Sequence, residues 1–188
     1  FNKIIDGLEN EKPSVLRHVQ RELRNEKEEL KKYRRQELLA LRKVPSDIAI
    51  ERNTWFHLGI NSSEQYIYCL RRMLEPIKEH VDNSFNPIPE IFVNEFRPIR
   101  EKINELMRQT ENIISTGQYE NYREVLANAD ACKDLLSTVR KRHINRIQQS
   151  DDSDFKVSLV YLNILQESQQ LLSNMRHQLR AAKKFIVN

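Results

Sequence analysis

Apolar residues recur along this chain at steps of three and four, and the steps persist through most of its 188 residues. That spacing puts them on one face of an α-helix. Over 14–44 the positions are Leu16, Val19, Leu23, Leu30, Tyr33, Ala40 and Val44. Pro13 followed by Ser14 is a start signal, and Pro45 is a stop. Glu26 and Glu37 interrupt the stripe, so this helix is expected to pack along part of its length and to meet solvent along the rest.

A second run, over 62–82, carries Ile67, Leu70, Leu74, Ile77 and Val81. Ser62 or Ser63 is its expected N-cap, and Pro76 should kink it. The stretch 83–89 holds two prolines and two asparagines and reads as a turn. The third run, 89–116, places Phe92, Phe96, Ile99, Ile103, Leu106, Thr110 and Ile113 on one face, with a bend at Pro98. Gly117 is suited to end it in a left-handed cap. The fourth, 119–149, carries Tyr122, Val125, Ala129, Cys132, Leu136, Val139 and His143. Residues 150–154, Ser-Asp-Asp-Ser-Asp, form a connector that also caps the next helix. In the last run, to about 185, Leu165, Leu172, Leu179 and Ile186 recur every seven residues beside Tyr161, Met175 and Ala182. Segment 46–61 is the least regular. It reads as a connector whose aromatic pair, Trp55 and Phe56, plugs the end of the bundle. The expectation is an all-α protein, an antiparallel bundle of about five long helices.

Composition removes several alternatives. There are three glycines, and none forms a GxGxxG, GxxxxGK[ST] or GxSxG motif, so phosphate-cradling loops and nucleophile elbows are not expected. Lys and Arg number 31 against 27 Asp and Glu, a net charge of +4 that is modest for a nucleic-acid binder. The aromatics fall on apolar columns and offer no stacking platform, so nucleic acid is not an expected partner. No apolar run approaches the roughly 20 residues that span a bilayer. Cys69 and Cys132 do not make a disulfide framework and are expected as small buried hydrophobes in a reducing compartment.

The candidate chemistry is sparse. Glu75, Glu79 and Asp82 share one helix face, and Asp130 and Asp134 form an i, i+4 pair. If the two helices faced each other, these carboxylates would supply oxygen ligands to a divalent or trivalent metal ion. The competing reading makes them solvated partners of Arg71, Arg72, Lys78 and Lys133. His80 points away from the Glu75–Glu79 face and is a poor co-ligand. Three basic runs stand out: Lys31, Lys32, Arg34 and Arg35; Arg140 to His143 with Arg146; and Arg176, Arg180, Lys183 and Lys184. They suit contact with an anionic membrane surface, or they are solvated faces paired with glutamates. The histidines 18, 57, 80, 143 and 177 are scattered without an HExxH spacing. His143, alone on an apolar stripe, reads as a hydrogen-bonded core residue. No nucleophile has a partner set in sequence, so no enzyme, catalytic residue or bound cofactor is expected.

Two strings go beyond generic pattern. TWFHLGINSSEQYIYCLRRMLEPIKEHVDNSFNPIP, residues 54–89, and SLVYLNILQESQQLLSNMRHQLRAAKKF, residues 158–185, resemble a bacterial sodium/phosphate cotransporter-related family. The likeness extends over roughly 15–187. In that family a membrane transporter is followed by a PhoU-like domain in the cytoplasm. The resemblance implies a fold of the tandem three-helix-bundle type and a role in phosphate uptake or its regulation, exerted through helix-face contacts. It implies a place at the cytoplasmic face of the bacterial inner membrane, with the transporter portion of the same polypeptide, or a second copy in a homodimer, as partner. On this reading residues 1–12 are a linker from the upstream membrane portion, and 13–188 are the bundle domain. Some PhoU-like proteins bind metal clusters through acidic helical motifs. Here the matching stretch of the last helix is Gln169-Gln170-Leu171-Leu172-Ser173-Asn174, with amides and a hydroxyl in place of charge. A metal-binding bundle and a free-standing interaction scaffold are the alternative functions.

Overall fold

The computed structural model describes residues 1–149 and 155–187. Its six helices are α1 (Asn2–Glu9), α2 (Pro13–Leu41), α3 (Ser46–Asp82), α4 (Glu90–Thr116), α5 (Tyr122–Gln149) and α6 (Phe155–Val187). The connector at 150–154 and the side chain of Ile186 lie outside the described residues.

Local signals set most of the ends. Pro13 occupies the first turn of α2, where its missing N–H costs nothing. Gly117 caps α4 with φ +69°, and its N–H donates to the Ile113 carbonyl. Pro76 and Pro98 both lie within helices that continue past them.

Cross-helix pairs give the directions. Along α3 and α6, Ser63 meets Gln178, Cys69 meets Asn174 and Arg72 meets Glu167, so the two run antiparallel. Along α2 and α3, Arg17 meets Asp82 and Lys27 meets Tyr68, also antiparallel. Asp130 meets Arg176 and His143 meets Ser158, so α5 and α6 oppose each other too. α6 is the centre of the assembly: it packs on α3, α5 and α4. α2 packs on α3, and α1 packs on α2 and α3.

The apolar columns read from the sequence are the core. All seven α4 positions from Phe92 to Ile113 are buried, as are Val125, Ala129, Cys132, Leu136, Val139 and His143 of α5. Both cysteines are free and buried. In α2 only Leu16, Val19 and Leu23 are buried, while Tyr33 is 60% exposed. The expected division of that helix into a packed and a solvated part is present.

Three expectations are corrected. Segment 46–61 is not a connector: it is the first half of α3. Pro45 does end the preceding run, but it is also the N-cap of α3, so a turn at 42–45 separates two helices. Trp55 and Phe56 therefore sit on a helix and face the end of α6, with Phe56 centred 6.4 Å from Phe185 and Lys184 over Trp55 at 5.9 Å. Ser62 and Ser63 cap nothing; their hydroxyls donate to the carbonyls of Leu58 and Gly59 one turn back. Lastly, residues 1–12, expected as a linker, contain α1, whose Ile4, Ile5 and Leu8 are buried. Arg100 of α4 holds that helix through Asn2, Asp6 and Glu9, and Phe1 meets Phe96 edge to face. α1 approaches α2 through Gly7, where an added Cβ would lie 2.5 Å from Leu16 Cδ2.

Candidate functional site

The acidic residues singled out from the sequence are not brought together. Glu75, Glu79 and Asp82 lie on α3 and Asp130 and Asp134 on α5, and α6 packs against both of those helices. Glu75 is 3.5 Å from Arg71. Asp82 takes Lys78 at 2.6 Å and Arg17 at 3.6 Å. Asp130 is paired with Arg176 at 2.5 Å. Glu79 and Asp134 are exposed. Among the described residues, no group of three or more His, Cys, Asp or Glu side chains is placed to hold a metal ion.

Two polar clusters inside the bundle were not picked out by spacing. The first lies between α3 and α6. The Glu167 side chain is only 5% exposed and accepts Nε and Nη2 of Arg72 at 3.0 and 2.9 Å. Arg72 and Asn174 also donate to Cys69 Sγ, each at 3.2 Å. Burial pushes the Cys69 thiol up to about 11, so it stays protonated near neutral pH and is a poor nucleophile. Burial raises the Cys132 thiol as well. The amides that stand in the 169–174 stretch are used in packing: Gln169 donates to the Lys133 carbonyl and to Ser137 Oγ.

The second cluster joins α4, α5 and α6. Glu95 accepts Arg142 and Arg146, each at 2.8 Å, and the Tyr161 hydroxyl at 3.3 Å. Burial opposes ionisation of Glu95, but hydrogen bonds and charge from Arg146 and Arg142 outweigh it and hold the carboxyl below its usual range. Tyr161 stacks on Phe92 at 4.7 Å, and His143 meets both rings edge-on at 4.8 Å. His143 Nε2 lies 2.9 Å from the Ser158 carbonyl, which only accepts, so that nitrogen carries the proton. Nδ1 is buried without a partner. Burial, with some help from Arg146, lowers the histidine's proton affinity despite the opposing pull of the Ser158 carbonyl and Glu95. This is the hydrogen-bonded core histidine expected from its stripe.

Sequence carried a faint signal for both carboxylates. Glu167 interrupts the α6 column of Val160, Ile164 and Leu171, and Glu95 stands between Phe92 and Phe96. A lone acid on or beside an apolar column signals a buried ion pair when an arginine is within reach. The sequence alone does not say which arginine.

Open space lies outside these clusters. A cleft of about 360 Å³ runs between Trp55, Leu58 and Asn61 of α3 and His177 and Arg180 of α6. One of about 490 Å³ separates α2 from α4 and is floored by Tyr66, Met107 and Met175. Another, of about 520 Å³, lies against the far end of α2. No helix among the described residues is long and apolar enough to cross a membrane. Comparison with known protein families, with curated proteins and with solved structures finds no match.

Proposed function

We propose that this chain is the PhoU-like regulatory domain of a sodium/phosphate cotransporter-type membrane protein, standing at the cytoplasmic face of a bacterial inner membrane. It acts through contacts of its helix faces with the transporter portion or a signalling partner, and not through chemistry of its own. The observation that carries this reading is the family likeness of the strings at 54–89 and 158–185. Those strings occupy most of the packed part of α3 and most of α6, the two helices that share the most extensive interface, so the likeness falls on the residues that build the bundle. The two internal ion-pair clusters fit a rigid body whose polar groups lock helices together.

The test is phosphate uptake by cells expressing the transporter with and without residues 13–188. The expected result is altered uptake or an altered response to external phosphate. Unchanged values of both overturn the reading. A free-standing interaction scaffold is the second reading, favoured by the exposed Leu38, Leu39, Ile48 and Ile50. A reading frame that encodes no membrane spans beside this segment selects it.

A further inference from the structure

The three basic runs meet different fates in the fold. In the second run Arg142 and Arg146 are bound to Glu95. In the third, Arg176 is paired with Asp130, while Lys183 and Lys184 lie over the rings of Tyr122 and Trp55. In the first, Lys31 and Lys32 are paired with Glu28 and Glu29. The side chains of Arg34, Arg35, Arg42 and Lys43 have no ion-pair or hydrogen-bond partner among the described residues. Residues 31–52 hold seven Lys and Arg against three Asp and Glu, an excess equal to the +4 of the whole chain, so the remainder is charge-balanced. The outer end of the α2–α3 hairpin therefore carries a local positive excess, with four cations that no carboxylate among the described residues neutralises.

The same end carries apolar side chains that the bundle does not cover. Lys31, Arg35 and Leu39 form one i, i+4, i+8 column on α2, and Arg34, Leu38 and Arg42 form its neighbour. Together they line the cleft of about 520 Å³, with Glu64 on its other side. Leu38 and Leu39 are 42% and 49% exposed, and Ile48 and Ile50 at the start of α3 are 47% and 69% exposed. Cations interleaved with exposed leucine and isoleucine make the surface of an interfacial helix, whose apolar side chains enter the acyl boundary while its cations meet phosphates.

We propose that the outer end of the α2–α3 hairpin docks on an anionic lipid bilayer. Leu38, Leu39 and Ile48 enter the headgroup–acyl boundary, and Arg34, Arg35, Arg42 and Lys43 bind lipid phosphates. Residues 31–41 extend about 16 Å at the helical rise, and a surface helix buries its apolar face by about 5–10 Å, so the bundle stays outside the bilayer. A second copy meeting this end head-on would bring two surfaces of the same charge together, which disfavours self-association there.

The test is co-sedimentation of the whole chain with vesicles of phosphatidylcholine, alone or mixed three to one with phosphatidylserine, at low and high salt. Binding is expected to the mixed vesicles, to weaken as salt rises, and to be near background on phosphatidylcholine. The triple reversal R34E/R35E/R42E should weaken binding by at least about tenfold. L38S/L39S should weaken it about threefold or more. R123E/K141E, on the exposed surface of α5, should bind like the parent, and circular dichroism should show equal helix in every variant. No binding by the parent, undiminished binding by the hairpin variants, or an equal loss in R123E/K141E overturns the proposal. So does a dimer in sedimentation velocity that L38S/L39S dissolves while vesicles stay bare. None of these readouts depends on phosphate transport, so this proposal and the transporter reading fall separately.

Discussion

The bundle and the hairpin end are built from the same kind of helix and differ in what surrounds them. In the bundle, α6 is enclosed by α3, α4 and α5, and its Leu165, Leu172 and Leu179 are buried to within 1%. At the hairpin end, Leu38, Leu39, Ile48 and Ile50 face outward on helices that are just as continuous. Helix in the first region follows from burial. In the second it is propagated from packed turns further along, since extending a helix is easier than starting one. Apolar periodicity therefore marks the first region well and the second poorly.

The largest expected contrast is a paired truncation. Leu165→Ala should cost about 2–5 kcal/mol in a denaturant titration, whereas Leu39→Ala should stay within about 0.5 kcal/mol. Equal losses would mean that the hairpin end is packed after all. Next comes Arg72→Ala, which leaves Glu167 buried without its partner. Because the Arg72 side chain is 47% exposed and water can follow it out, we expect a loss of about 2 kcal/mol, below that of a deeply buried pair. No change in the denaturation midpoint would show that Glu167 reaches solvent by itself.

One substitution should change sign between the regions. Gly7→Ala brings a Cβ within 2.5 Å of Leu16, which is buried on all sides, and should cost about 1–2 kcal/mol even after the gain in helix propensity. Gly59→Ala, in the outer half of α3 with nothing within 4 Å, should stabilise by about 0.5–1 kcal/mol. Thermal melts of both variants decide it, and shifts of the same sign break the comparison.

The smallest effect expected is with pH. His143 binds its proton less readily in the folded chain than in the unfolded one. As pH falls through the ordinary histidine range of about 6.5, the unfolded state takes up the proton first and stability declines; the decline ends below the folded value. Melts of His143→Gln between pH 7.5 and 5 (~half-unit steps) should show a shallower slope than the parent's. The Glu95 contribution has the same sign, being present above the unfolded carboxyl value and lost as pH falls through the lower folded one, but it belongs to a more acidic window. Parallel slopes would show that His143 is not the titrating group.

What was legible in the sequence follows this division. The columns of α4 and α5 could be read residue by residue because each of their turns meets a neighbour, and burial writes the period into the chain. Gly117 was legible because only a residue without Cβ adopts its φ cheaply. The outer half of α3 was not legible: Ile48, Ile50, Trp55, Phe56 and Leu58 follow no single column, since no core face selects one. α1 was missed because eight residues give too few turns to count. The ion pairs of Glu95 and Glu167 join helices 47 to 95 residues apart in sequence, a separation that local spacing cannot encode.

The central position of α6 has a consequence for synthesis. The helix that α3, α4 and α5 all enclose leaves the ribosome after the other five, so the earlier helices emerge with their oily stripes facing an empty axis. A nascent chain halted before residue 155 lacks the helix that joins α3 to α4 and α5, and its lifetime in the cell depends on how quickly the 33 residues of α6 arrive.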